Sequence, residues 1–374
     1  LKNVLGLINL HENEDLLKEI THHRPLAAVP FGGKFRLIDF VLSNMVNSGI
    51  RNIGIVTKRK YRSLMDHLRS GKEWDLARKR DGLFILPPPD HSHYASSIHK
   101  GDLEHFHHHL DYLEKSSQRY VLISGSHTIC NVNYNEAFRS HKARQADITI
   151  LYKPVQPDSS DPVALATTLT LDGNKRVIDM EVNPGQTAAG NISMEMLIMS
   201  KALLLRIIEN CIARGDYDFM KDGIVKNVSR YKVYGFSFPG YIAKINSVQA
   251  YYQANMNLLK QEVWQELFHT ASPIYTKIKD TTPANYRTTA EVRNSLVANG
   301  CIVAGQVENS ILFRGVRIHK GAQVKNSIVM QDCEIGPDTI LENIICDKDV
   351  IVRGGKCLTG ANNYIMVIRK GMVV

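Results

Sequence analysis

The sequence is short of every device that stabilises a small or membrane-bound protein. No run of about 18 apolar residues occurs in its 374 residues, which excludes a transmembrane helix. It has six cysteines, and no two stand in C-x-x-C spacing, so neither a metal knuckle nor a disulfide framework is indicated. Cys130, Cys211, Cys301, Cys333, Cys346 and Cys357 read as reduced, mostly buried thiols of a cytosolic protein. The opening Leu1-Lys2-Asn3-Val4 has no Met and no long apolar region of a signal peptide, so a trimmed start and a cytoplasmic location are expected. Ser124, Ser126 and His127 lack a G-x-S-x-G elbow, which argues against a nucleophilic hydrolase.

What is present is a globular composition. Hydrophobic residues make up 44% and charged residues 22%, enough to bury a sizeable core in two domains. Lys and Arg total 46 against 37 Asp and Glu, a net charge of +9 that suits phosphate-bearing ligands or simply solubility.

The first half alternates strand and helix patterns. Residues 3–10, 51–56, 120–124 and 148–152 are apolar strand candidates. Ile38, Val41, Leu42 and Met45 recur at helical spacing and Gly49 terminates that helix. This predicts a mostly parallel sheet, with ligands at the carboxyl ends of its strands, in the loops after Leu10 and Ser124. A further helix is predicted over 248–269, and 272–289, rich in Pro, Thr and Lys, reads as a linker. From about Leu296 the texture changes. Aliphatic residues recur every five or six positions, at Val297, Ile302, Val307, Leu312, Ile318, Val324, Val329, Ile335, Ile340, Ile345 and Val350, with Gly, Asn and Asp between them. That is the hexapeptide rhythm of a parallel β-helix.

The stretch Ala28 to Asn44, AVPFGGKFRLIDFVLSN, resembles the glucose-1-phosphate adenylyltransferase (ADP-glucose pyrophosphorylase) family nearly residue for residue. NSGIRNIGIVT from Asn47, YVLISG, DFMKDGI from Asp218, VYGFSFPGY from Val233 and the hexapeptide tail continue the match. The resemblance implies an α/β nucleotidyltransferase domain with a Rossmann-like, mostly parallel sheet over 1–270, a linker over 271–290 and a left-handed β-helix over 291–374. It also implies a reaction: ATP and glucose 1-phosphate exchange at the α-phosphorus, and pyrophosphate leaves. That chemistry requires a phosphate cradle and Mg²⁺.

Those parts are degenerate here. The family's loop G-G-x-G-T-R-L aligns with Leu10-His11-Glu12-Asn13-Glu14-Asp15-Leu16-Leu17, so its glycines are gone and its Arg is Leu16. The Lys-Pro pair is Leu26-Ala27, and Val182-Asn183-Pro184 replaces the E-K-P sugar-phosphate motif. The two metal-binding Asp positions carry Ser126 and Lys244. Mg²⁺ needs hard oxygen ligands, and each like-charge contact costs about 4 kcal/mol at short range. The expectation is therefore a regulatory subunit with no catalytic residues, metal or cofactor of its own, Mg²⁺ belonging only to a catalytic partner. The alternatives are an active adenylyltransferase with an altered metal and phosphate site, and a non-enzymatic scaffold.

By the same alignment His23, Arg24, Arg36 and Arg369 are the candidate effector-binding residues, because guanidinium groups grip phosphate bidentately. The implied partners are a catalytic ADP-glucose pyrophosphorylase subunit and phosphorylated metabolites, in a heterotetramer or a homo-oligomer, without nucleic acid or membrane. His105, His107, His108 and His109, near His91, His93 and His99, read as a solvated helix face rather than a metal site. Lys58 to Arg62 (KRKYR) and 72–80 likewise read as solvated faces rather than a nucleic-acid patch. His319, the one histidine of the hexapeptide region, gives little support to an acyltransferase reading.

Overall fold

The computed structural model describes residues 1–58, 60–89, 101–155, 166–182, 190–269, 272–361 and 364–374. His91, His93, His99, Asn183 and Pro184 of the sequence reading lie outside the described residues. The chain divides into two compact units: residues 1–12, 40–242 and 272–274 form the first, and 13–39, 243–271 and 275–374 the second.

The first unit is built on a nine-stranded mixed sheet. Its strands are β1 (Val4–Asn9), β2 (Asn52–Val56), β3 (Gly82–Leu86), β4 (Tyr120–Ser124), β5 (Ile148–Val155), β6 (Thr168–Leu171), β7 (Val177–Glu181), β8 (Gly190–Ser200) and β9 (Val233–Ser237). Strand β1 pairs in parallel with β2 and β4, β2 with β3, and β5 with β9, whereas β8 runs antiparallel to β4, β5 and β6. Strand β1 is buried on both faces, as a central parallel strand must be. Helix α1 (Leu37–Asn47) packs closely on it: a Cβ at Gly6 would stand 2.7 Å from the Met45 sulfur. The core gathers Leu5, Val121, Ile148, Ile150, Leu197, Ile207 and Phe219.

Two helices expected to be continuous are broken. Residues 102–115 form α2 (Asp102–His108) and α3 (Leu110–Lys115), because His109 leaves helical geometry and its ring bonds the Pro87 carbonyl at 2.7 Å. Helix α4 is Tyr134–Ala143 and α5 is Lys201–Arg214. Residues 248–269 form α6 (Val248–Asn257) and α7 (Gln261–Phe268). Tightened turns at Leu258, Leu259 and Lys260 separate these two, with N–H groups donating to carbonyls three residues back.

In the second unit, three five-stranded parallel sheets close the β-helix. Its first strand, Asn285–Tyr286, lies inside the stretch read as a linker; both residues are exposed, so no apolar pulse marks it. Inward residues stack coil on coil, as in Val292, Val307, Val324, Leu341 and Leu358. Each coil must turn sharply, and equivalent corners carry Asn294, Asn309, Asn326 and Asn343, all at positive φ between 40° and 55°. Asparagine tolerates that conformation better than other residues with a Cβ, which explains the Asn spacing in the sequence. The FGGK stretch is a hairpin turn of this unit. Gly32 and Gly33 have φ of 56° and 82°, and the Gly32 N–H donates to Asn255 Oδ1 at 3.0 Å. Tyr251 and Tyr252 of α6 donate to the carbonyls of Pro30 and Asn326. Five of the cysteines are buried and Cys357 is exposed, all as free thiols. Among the described residues no helix is long and apolar enough to cross a membrane.

The apolar rhythm picks out Ile340, but Ile340 is 40% exposed and its neighbour Leu341 is fully buried. Leu341→Ala should therefore lower unfolding free energy by about 2–5 kcal/mol, and Ile340→Ala by less than about 1 kcal/mol. Urea melts of the two variants check the assignment.

Candidate functional site

The carboxyl ends of β1 and β4 meet where the sequence places the phosphate loop and the first metal position. Glu12 leaves β1 and turns inward; its side chain is 7% exposed. Its Oε1 accepts the Ser126 backbone N–H and, at 2.8 Å, the Ser126 hydroxyl. The Lys58 ammonium donates to the Glu12 carbonyl, so Lys58 is folded onto this loop rather than part of a solvated basic face. His127 stands between two carboxylates, with Nδ1 3.6 Å from Glu12 and Nε2 3.5 Å from Glu195. Burial alone would raise the Glu12 pKa, but His127, the Ser126 N–H and Lys58 outweigh it and hold the carboxyl below its ordinary value. Glu195 occupies a bulge in β8 at φ 56°, a strained conformation for a residue with a Cβ.

Neither residue read from the sequence as a metal position suits Mg²⁺. The Ser126 hydroxyl is committed to Glu12, and Lys244, half-buried in the second unit, has no oxygen to offer. Among the described residues no three His, Cys, Asp or Glu side chains are placed to hold a metal ion. Leu16 is 54% exposed, while Leu26 is buried and its N–H donates to Glu14 Oε1 at 3.0 Å. Where a phosphate cradle would offer N–H groups to a ligand, these loops bind their N–H groups to the chain's own carboxylates.

Beside this clasp lies a second network that sequence reasoning missed. Asp102 accepts from Asn9 Nδ2 and from the Phe219 N–H, each at 2.8 Å. Burial, partly offset by those donors and reinforced by nearby Asp218, raises its pKa to about 6. His105 is buried, not solvated as expected, and its Nδ1 lies 3.1 Å from His11 Nε2. His107 and His108 are exposed.

In the second unit, Arg24 is buried and paired with both oxygens of Asp347 (side chains 5% and 2% exposed). Lys348 follows at once in the sequence. Burial, then the charges of Arg36 and Arg24, pull its pKa down to about 7, and Lys279 adds to the same repulsion. His23 is exposed against His22. Its pKa is lowered by desolvation and then by His22, Lys370 and Arg24. The structure thus gathers Arg24 and Arg36 around Asp347 and Lys348, with His23 and Lys370 alongside. Arg369 is exposed and enters no ion pair among the described residues; Lys370 is the neighbour whose charge reaches His23. Asp347 and Lys348 carried no signal of their own, being two polar residues in a turn of the coil.

A mixed α/β sheet unit whose chain continues into a hexapeptide coil has the architecture of a nucleotidyl transferase domain with an appended β-helix. Residues 16–261 match the nucleotidyl transferase family, and 280–363 match the C-terminal hexapeptide region of GlmU-like proteins. The chain is 39% identical to a glycogen biosynthesis protein GlgD of Bacillus subtilis (strain 168), over 99% of this chain and 96% of that protein. It is 38% identical to the protein of the same name from Geobacillus stearothermophilus, over 86% of this chain and 82% of that one. A glucose-1-phosphate adenylyltransferase of Clostridium perfringens (strain SM101 / Type A) is 32% identical over 100% of this chain and 96% of its own. The chain belongs to the ADP-glucose pyrophosphorylase family.

Asp102 gives the site a pH signature. Its pKa lies above the ordinary 3.8, so the folded state binds a proton more tightly than the unfolded state, and stability falls as pH rises from about 4 to about 6. At about 1.4 kcal/mol per pKa unit the effect is about 2–3 kcal/mol. Asp102→Asn should gain that much relative to the native chain between pH 4.5 and pH 7.5, read as the pH dependence of the difference in melting temperature. An unchanged difference would remove Asp102 from the network.

Proposed function

We propose that this chain is a regulatory subunit in glycogen biosynthesis, without adenylyltransferase activity of its own, and that it tunes a catalytic ADP-glucose pyrophosphorylase subunit. The observation that carries the reading is Ser126. At the position that the family resemblance assigns to a metal-binding Asp, it is buried, and its hydroxyl is held by Glu12 from the loop that would cradle the phosphates. The kinship with two glycogen biosynthesis proteins supports the pathway.

The cationic cluster of the second unit supports a role for phosphorylated effectors. His23, Arg24 and Arg36 are its proposed contacts, with Lys348 beside them; Arg369 stays a weaker candidate at the end of the coil. Bidentate guanidinium groups and an ammonium that titrates near neutrality suit a phosphate monoester. Because Lys348 loses its charge as pH rises through about 7, effector response should weaken between pH 6.5 and pH 8.

The test is ADP-glucose formation with Mg²⁺, by the purified chain alone and mixed with a catalytic homologue. The expected outcome is no activity alone, and a changed rate or effector response in the mixture. Arg36→Ala should raise the effector concentration for half-maximal response by about tenfold, the loss of one charge-assisted contact. Robust activity of the chain alone would overturn the reading and favour an altered but functional site.

A further inference from the structure

The first unit holds a cavity of about 180 Å³ between α5 and the turn that follows it, in residues that the degenerate site does not use. Arg206, Asn210 and Arg214 stand four residues apart on α5 and so share one exposed face. Ile207 and Cys211, beside them on the helix, are buried and form the cavity floor. Gly223 on the opposite wall packs directly against that floor: a Cβ there would stand 2.9 Å from Ile207 Cγ2. Lys226, Arg230 and Tyr231 complete the wall.

The two carboxylates of the cavity are already committed to its lysine. Lys226 donates to Asp216 Oδ1 at 2.9 Å and pairs with Asp222 Oδ1 at 2.8 Å, while Asp222 Oδ2 accepts the Tyr217 and Asp218 N–H groups. The arginines have no such partner. Among the described residues Arg206, Arg214 and Arg230 enter no ion pair, and Arg230 reaches only Asn227 Oδ1, at 3.4 Å. Their charges nevertheless act on the cavity. Burial raises the Tyr231 pKa, and Arg206 and Arg230 oppose it. Burial, Asp216 and Asp222 raise the Cys211 pKa, and Arg214 and Lys226 oppose them, so the thiol is a neutral floor. Three guanidinium groups and one ammonium against two carboxylates leave two positive charges unmatched. Among the described residues the Asn210 amide and the Tyr231 hydroxyl also have no partner within the chain, and both can donate and accept.

We propose that this cavity binds the phosphate monoester of a small polyhydroxy compound, with Arg214 and Arg230 gripping the phosphate and Asn210 and Tyr231 reading the hydroxyls. A phosphate monoester carries close to two negative charges at neutral pH, which matches the surplus; a single carboxylate would leave half of it. Guanidinium forks meet phosphate oxygens bidentately. At about 30 Å³ per water the cavity has room for roughly six waters, enough for a phosphate and a short carbon chain. The site is additional to the cationic cluster proposed for effectors, which belongs to the second unit.

Glycerol 3-phosphate is the probe. It is titrated calorimetrically into the full chain carrying Arg36→Ala, so that the second unit's cluster does not dominate the heat, and circular dichroism melts confirm that each variant folds. The expected result is saturable binding that glycerol alone does not show. On that background Arg214→Ala and Arg230→Ala should each weaken binding about tenfold, the loss of one charge-assisted contact. Arg214→Lys should weaken it by less, since the charge remains without the fork. Asp216→Asn should act in the opposite direction and tighten binding roughly threefold, because it removes a repulsive carboxylate and releases Lys226 toward the ligand. Hydrogen exchange locates the site: the probe should slow exchange within residues 206–231. Absence of binding to the Arg36→Ala chain, or an Asp216→Asn variant that binds no more tightly, would overturn the proposal. So would slowed exchange confined to the second unit. None of these outcomes touches the regulatory reading, which ADP-glucose formation decides.

Discussion

A buried carboxylate controls the architecture of the degenerate site. Glu12 is carried inward at the end of β1, and a charge in that position is costly unless donors meet it. The groups that meet it come from elements far apart in sequence: Ser126 after β4 donates to the carboxylate, His127, itself braced by Glu195 in the β8 bulge, stands 3.6 Å from it, and Lys58 after β2 donates to the Glu12 main-chain carbonyl. These residues form a co-dependent set. Replacing Ser126 by Asp would set two carboxylates against each other before any metal arrived. Removing Glu12 would strand the Ser126 N–H and the His127 ring. Ser126, read from the sequence as a replacement in the family's metal site, is thus part of an alternative local structure, in which the chain's own carboxylate occupies the donors.

The second unit repeats the pattern with the opposite sign. Arg24 is neutralised by Asp347 in a buried pair, and breaking such a pair by removing one partner is far more damaging than its net contribution suggests. Burial of the adjacent Lys348, and then the charges of Arg36 and Arg24, lower its pKa to about 7, with the Asp347 carboxylate opposing them. An incoming phosphate would lower that repulsion, and it would be met by a cluster whose net charge depends on pH.

Much of the fold was legible because its signals are local. Strand β4 coincides with the apolar run 120–124, and α1 (Leu37–Asn47) carries the periodic Ile38, Val41, Leu42 and Met45. The coil showed itself through aliphatic pulses and turn residues, and failed by one position at Ile340 because a short period cannot tell which of two adjacent aliphatics points inward. The helix breaks at His109 and Leu258 were hidden because apolar spacing runs through both; what marks the breaks is the His109 ring bonding the Pro87 carbonyl and the tightened backbone bonds at 258–260. The site was legible only as replacements. Leu16, Leu26, Ser126 and Lys244 could be named, but the bonds from Asn9 to Asp102, Ser126 to Glu12 and Arg24 to Asp347 join residues 93 to 323 positions apart.

This contrast bears on how the FGGK stretch should be understood. Gly32 and Gly33 adopt positive φ to close a hairpin that Asn255 and Tyr251 hold from α6. Their role is therefore met by the chain itself and is indifferent to nucleotide. A loop whose glycines serve a ligand has no such internal obligation, and the segment after β1 has none of them left: its backbone turns through Glu12 and Glu14, which satisfy N–H groups at Ser126 and Leu26. The stretch that best marks the family is thus bound to the fold, whereas the stretch that would mark catalysis was bound only to phosphate. A chain can keep the first in full and lose the second, and it then still folds as a member of the family, because the hairpin's bonds are all its own.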